Sequence, residues 1–228
     1  MDDLFSDRAL RGKTLARGDL ESLLASSQTV IDCDLEESDL SGLDLSDWSF
    51  ERCNFRRADL SRAKLEGTTW QSCRGAFASF TASDLGGAAI TACDFNNASF
   101  KRANLQSAKF AQCKLTGADL FDVKGLEIEF DETLLVNAKL PGRSFRKARL
   151  NRIDFSQADL RKCDFRHATF AECSLRDAIM DGSRFDGADL RGADLGGLRL
   201  VDASMFRGAT ISREQAGQLL SELGLNVR

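Results

Sequence analysis

Seven cysteines, one histidine and a dense run of carboxylates are the residues of this 228-residue chain whose types suit chemistry. Thiols can ligate a metal or exchange electrons. They stand at Cys33, Cys53, Cys73, Cys93, Cys113, Cys163 and Cys173, and no CxxC pair occurs. All but Cys163 are separated by 20 residues or a multiple of 20. A zinc site needs ligands clustered in a tetrahedron, and a line of single thiols does not supply one. The spacing instead reads as small, reduced thiols filling a core. His167 stands alone. No GxSxG, Walker loop or HExxH is present, and serine and aspartate recur too often for any one pair to signal a nucleophile. The sequence therefore assigns no catalytic residue, no metal ligand and no cofactor, and the expectation is a protein that is not an enzyme.

Charge carries more. Residues 1–50 hold 12 acids against four bases, with Asp32, Asp34, Glu36, Glu37, Asp39, Asp44 and Asp47 close together. A basic belt, RSFRKARLNR, covers 143–152 and continues to Arg161, Lys162 and Arg166. Such patches either keep a surface solvated or meet a charged partner. The net charge is −4, so no basic excess points to direct nucleic-acid binding. The N-terminal MDDLFSDRALRG has no apolar segment and no run is long enough to span a membrane, so a cytoplasmic protein is expected.

What positions these residues is a period of five. Large apolar residues occupy nearly every multiple of five: Leu10, Leu15, Leu20, then Val30 through Phe55 to Trp70, Phe80 to Leu120, and Phe130 through Leu200 to Met205. Ala25, Gly75 and Gly125 are the exceptions. Two places earlier stand small residues such as Cys33, Cys53, Ala58, Ala78 and Ala203. Neither helix nor continuous strand has this period. In a short extended segment, residues two apart point the same way, so the small and large residues face inward and the other three face water. His167 falls on an outward place. So short a unit is stable only when stacked on copies of itself. The 20-residue cysteine spacing makes four units one coil. Residues 8–208 give roughly ten coils at a spacing of roughly 4.8 Å. Each buried leucine or phenylalanine contributes about 1.5–3 kcal/mol. Two stretches are irregular, CRGAF at 73–77 and FDVKGLEIEFDETLLVN at 121–137, and a widened or kinked coil is expected at both.

These units resemble the A(D/N)LXX motif of the pentapeptide-repeat family. The resemblance covers about nine-tenths of the chain and implies an all-β fold, a right-handed quadrilateral parallel β-helix. The C-terminus departs from it. ISREQAGQLLSELGLNVR offers Ser212 as N-cap with Gln215 three residues on, an apolar stripe of Ala216, Leu219, Leu220 and Leu223, and Gly224 as a stop. The expected division is a β-helix over 1–211 and a capping helix over 212–228. A helix of this kind closing such a coil is similar to the C-terminal end of the quinolone-resistance (Qnr-like) proteins. That resemblance implies a homodimer joined through Ala216, Leu219, Leu220 and Leu223, and a partner that is DNA gyrase or topoisomerase IV. It further implies partial mimicry of DNA, for which Asp34, Glu36 and Glu37 are the candidate partner-binding residues. Duplex DNA of the same length carries roughly 28 negative charges, so mimicry by this chain must be local. The alternative is a general protein-interaction scaffold or regulatory adaptor.

Overall fold

The computed structural model describes residues 9–198, 204–222 and 224–227. The chain divides into two compact units. The first holds residues up to Cys113 together with Asp122–Glu129, and the second holds Lys114–Phe121 and the residues from Phe130 onward.

In the first unit each side of the coil pairs in parallel with the residue 20 places on, giving four ladders. Strands β1 (Leu10–Arg11), β2 (Thr29–Ile31), β3 (Ser49–Glu51), β4 (Thr69–Gln71), β5 (Ala89–Thr91) and β6 (Lys109–Ala111) form the first ladder. Thr14, Asp34, Asn54, Arg74 and Asp94 form the second; Asp39, Asp59, Ser79 and Ser99 the third; Asp44, Lys64, Asp84, Asn104 and Lys124 the fourth. The second unit repeats the plan. Asp131, the last residue of β7 (Glu129–Asp131), whose Glu129 belongs to the first unit, pairs with Asn151; β8 (Arg149–Asn151) pairs with β9 (Thr169–Ala171), and β10 (Cys173–Ser174) pairs with β11 (Ala193–Asp194). This is the quadrilateral parallel β-helix the period implied.

The corners explain the repeat. The residue before each central one is often Asp or Asn because its side chain accepts the backbone N–H two residues on, as Asp34 does from Glu36 at 3.1 Å and Asn54 from Arg56 at 3.2 Å. The central carbonyl then accepts from the residue three on, as in Ser38 N–H to Leu35 at 3.2 Å and Ala78 N–H to Gly75 at 3.0 Å. Glu37, Arg57, Phe77 and Asn97, third in their turns, have φ of +57°, +56°, +63° and +56°. A type II turn demands that geometry. Small inward residues are not only filler. The Cys53 thiol donates to the carbonyl of Val30 on the preceding coil at 3.3 Å, and Ser183 Oγ donates to Leu160 at 2.6 Å.

From Leu15 to Leu195, every large apolar central residue is buried. In the first unit the Phe50 and Trp70 rings lie 4.4 Å apart, and Phe80 stacks on Phe100 at 4.8 Å. In the second, Phe145, Phe165, Phe185 and Phe206 stack successively at 4.9, 4.8 and 5.0 Å.

The ends depart from the five-residue count. Ala25 is exposed, because a short helix α1 (Arg17–Glu21) and the segment after it replace the regular first coil. There Gln28 takes a small inward place, and its amide donates to Ser26 O at 3.2 Å and Ser26 Oγ at 2.8 Å. At the other end the register slips. Asp189 bridges Thr210, 21 residues on, and Phe185 N–H donates to Met205 O, 20 on, where 19 is the rule elsewhere. Phe206, not Met205, therefore occupies the last central place. Leu200 and Ala203 lie outside the described residues.

Helix α2 (Arg213–Glu222) follows. Its start is the capping box: Ser212 N–H donates to Gln215 Oε1 at 2.7 Å, and Gln215 N–H to Ser212 Oγ at 3.1 Å. Gly224 at φ +81° ends it, with Leu225 N–H donating to Leu220 O at 3.0 Å, a Schellman closure. The buried Gln215 amide donates to Leu190 O at 2.7 Å and Ala193 O at 2.6 Å. On earlier coils the matching carbonyls of Leu150 and Ile153 accept from Cys173 Sγ and Ser174 N–H. One glutamine thus stands in for the coil that would come next.

The two irregular stretches behave differently. At CRGAF the coil is not widened. Gly75 N–H donates to Asp94 O at 2.7 Å, and a Cβ on Gly75 would meet the Phe95 ring at 2.4 Å, so that ring fills the vacant place. At 125–128 the corner does open. No closing turn forms, Leu126 is 71% exposed, and a Cβ on Gly125 would lie 2.4 Å from Gln106 N. Gln106 Oε1 holds the open corner by accepting Leu126 N–H at 2.7 Å.

Candidate protein-binding edge

The predicted partner-binding acids lie together on one corner of the first unit. Asp34 stands on the second ladder, Glu36 and Glu37 in the turn beside it, and all three are exposed. Asn54, one coil on, donates its amide to Asp34 Oδ1 and to Glu36 Oε2, both at 2.9 Å. Glu37 is not a free acid, because Arg57 Nη1 reaches its Oε1 at 3.2 Å.

That pairing is the rule at this end. Arg52 meets Asp32 at 2.7 Å and Lys64 meets Asp44 at 2.9 Å, each base 20 residues after its acid. Hydrogen bonding from Arg52 holds the Asp32 carboxyl below its usual range, and Lys64 does the same to Asp44. Three of the seven acids are therefore neutralised by the next coil, and Asp39 lies 3.6 Å from Arg17. The signal was in the sequence, where Asp32 and Arg52, Glu37 and Arg57, and Asp44 and Lys64 are 20 apart. Being exposed, these pairs contribute little each.

Further along the same corner stand Arg56 and Arg57, then Arg74 and Phe77, then Asn96 and Asn97. Arg56 and Arg74 form no ion pair among the described residues. Phe77 is 57% exposed and lies in the left-handed region. It is a surface feature that the pattern reading passed over. Its signal was a phenylalanine two places after a glycine that holds a central position.

The basic belt is partly self-neutralised as well. Arg152 pairs with Glu132 at 3.3 Å and Glu172 at 3.0 Å. Arg161, Arg166 and Arg191 fork onto Asp159, Asp164 and Asp189, two residues before each, and hold those carboxyls below their usual range. His167 is exposed and lies over Gly187.

All seven cysteines are free and buried. Burial pushes the Cys113 thiol up to about 11 and the Cys163 thiol up to about 12, so both stay protonated and unreactive. Among the described residues no group of three or more His, Cys, Asp or Glu is placed to hold a metal, and no helix is long and apolar enough to cross a membrane.

Of the residues assigned to a dimer contact, Leu219 is buried in the single chain, Ala216 is half-buried and Leu220 is 41% exposed. Leu223 lies outside the described residues. Leu225 and Val227 are also exposed near the end of α2.

Two family models of pentapeptide repeats match the chain, one in eight copies over residues 33–69, 83–120 and 168–205, the other in nine copies over 135–179. No curated protein matches the sequence. Among solved structures the chain is similar to full-length QnrB1, a plasmid-mediated fluoroquinolone resistance protein, with a TM-score of 0.66 at 19% identity, covering 95% of this chain and 97% of that one. It is also similar to HetL, a pentapeptide repeat protein involved in heterocyst differentiation regulation from the cyanobacterium Nostoc, with a TM-score of 0.60 at 17% identity, covering 86% and 94%. At these identities the likeness is one of fold.

Proposed function

This chain belongs to the pentapeptide-repeat family, and on that premise we propose that it is a non-enzymatic binding protein whose partner is a type II DNA topoisomerase, gyrase or topoisomerase IV. Binding would protect the enzyme from quinolones or a peptide toxin. The observation that carries this reading is the end-to-end likeness to QnrB1, which leaves only a few per cent of either chain unmatched. The terminal helix of the Qnr-like type, latched by Gln215, supports it. The mechanism is contact by the faces and corners of the coil, in competition with DNA or against the drug-stabilised cleavage complex. With Asp32, Glu37 and Asp44 each paired to a base, DNA mimicry at this end would fall to acids such as Asp34, Glu36 and Asp47, which have no cationic partner among the described residues.

Two copies would meet through α2. Among the described residues of its stripe Leu220 is the exposed one, and the Schellman closure keeps Leu225 near it. Light scattering on Leu220→Asp tests this. A halved mass supports the dimer, and an unchanged mass makes α2 a lid only.

A DNA supercoiling assay with and without ciprofloxacin tests the function. The expected result is inhibition of gyrase at high protein and rescue from the drug at lower protein. Neither effect at micromolar protein would overturn the reading. The second reading, a regulatory adaptor for another protein, is favoured by the likeness to HetL, which covers 86% of this chain and 94% of that one.

A further inference from the structure

We propose that Phe77 is the anchor by which this corner grips its protein partner, entering an apolar pocket rimmed by carboxylates. The identity of the partner rests on the topoisomerase reading above.

Three observations converge on Phe77. Its own repeat has no need of a phenylalanine inside, because the Phe95 ring already fills the place that Gly75 leaves. The repeat nevertheless carries a large ring two residues on, at a corner where it buries little. Single exposed apolar residues are ordinary. A bulky one in the left-handed region is not, since that backbone disfavours it and a smaller residue would serve the turn. Among the 25 non-glycine described residues with positive φ, Phe77 is the only one with a large apolar side chain; the rest are polar, charged or alanine.

The backbone beneath the ring is held from both sides. Phe77 N–H donates to Asn96 O at 2.9 Å, and Arg57 N–H donates to Ala76 O at 3.0 Å. A ring on so fixed a base loses little freedom when it docks. Arg57 and Asn97 hold the same turn position one coil before and one coil after, each about 4.8 Å away along the stack. Arg56 and Arg74 stand beside them without an acid partner among the described residues. Aromatic and arginine side chains are the types that dominate interface energetics, and Arg56 and Arg74, outnumbering Asp94 on the next coil, select an acidic rim here, apart from the basic contact that Asp34 and Glu36 would seek two coils earlier. A single ring offers a platform for one base only, so a nucleic-acid strand is the weaker fit.

The test is equilibrium binding of the full chain to purified gyrase and topoisomerase IV holoenzymes. The parent is compared with Phe77→Ala, Phe77→Gly, Phe77→Trp and the distant corner control Ala92→Gly. Expected are a loss of at least about tenfold for the alanine and glycine variants and near-parent affinity for tryptophan and the control. Phe77→Gly should melt no lower than the parent, because glycine suits φ +63°. Its weakened binding would then not be an unfolding effect. If the parent binds and Phe77→Gly binds equally, the anchor is overturned while the topoisomerase reading stands. If the parent binds neither enzyme, the topoisomerase reading falls and this proposal falls with it. Tight binding of an oligo-dT strand that is lost in Phe77→Ala would reassign the ring to nucleic acid and also overturn the proposal.

Discussion

Gly75 and Gly125 look alike in the sequence, yet the first unit treats them in opposite ways. Both replace a large apolar residue at a central place. At Gly75 a neighbouring side chain solves the problem: the Phe95 ring moves into the gap, the ladders continue and the corner closes. At Gly125 the backbone solves it: the chain approaches Gln106 so closely that no Cβ fits, φ reaches +99°, and the corner opens around Leu126. A core of stacked rings can lend volume from one coil to the next, whereas a backbone contact cannot be lent. The difference also sorts the exposed residues. Leu126 is outside because its corner failed to close, while Phe77 is outside on a corner that is fully formed.

The largest effect should come from removing the lent ring. Phe95→Ala empties two places at once, its own and that of Gly75, and should cost about 3–5 kcal/mol in denaturant unfolding. Gly125→Ala should follow at about 2–4 kcal/mol, because overpacking against backbone adds to left-handed strain. A cost below about 1 kcal/mol would show that the approach to Gln106 can relax. Gly75→Ala should cost about 1–3 kcal/mol in the parent, where it pushes on a ring. In the Phe95→Ala background the same change should cost almost nothing, and that coupling is the sharpest form of the contrast. The smallest effect belongs to Gln106→Ala, which leaves Leu126 N–H without its acceptor and should cost about 1 kcal/mol. Hydrogen exchange at Leu126 should accelerate in that variant while exchange at Phe77 stays unchanged.

The repeat was legible because a period of five with one residue type at each place permits only a stacked coil, and the cysteines at 33, 53 and 73 fixed four sides. What was not legible depended on neighbours one coil away. The acids at 32, 37 and 44 read as a negative patch in linear order, and became ion pairs once Arg52, Arg57 and Lys64 were laid beside them. CRGAF read as a weak coil because a missing side chain does not announce which ring will fill it. The slip that gives Phe206 the last central place, and the exposure of Ala25, arise beside helical turns, where the five-residue repeat no longer dictates the register. The Gln215 capping box was visible in sequence, but its second task was not: donating to Leu190 and Ala193 requires knowing where the last coil ends.

The proposed role turns most directly on whether the chain binds a type II topoisomerase where DNA does. Calorimetric titration of the parent chain into gyrase holoenzyme, alone and with saturating linear duplex, measures that. Saturable binding to the free enzyme, lost when duplex is present, is the expected result. Absence of binding at micromolar protein, or binding that duplex leaves untouched, would contradict it.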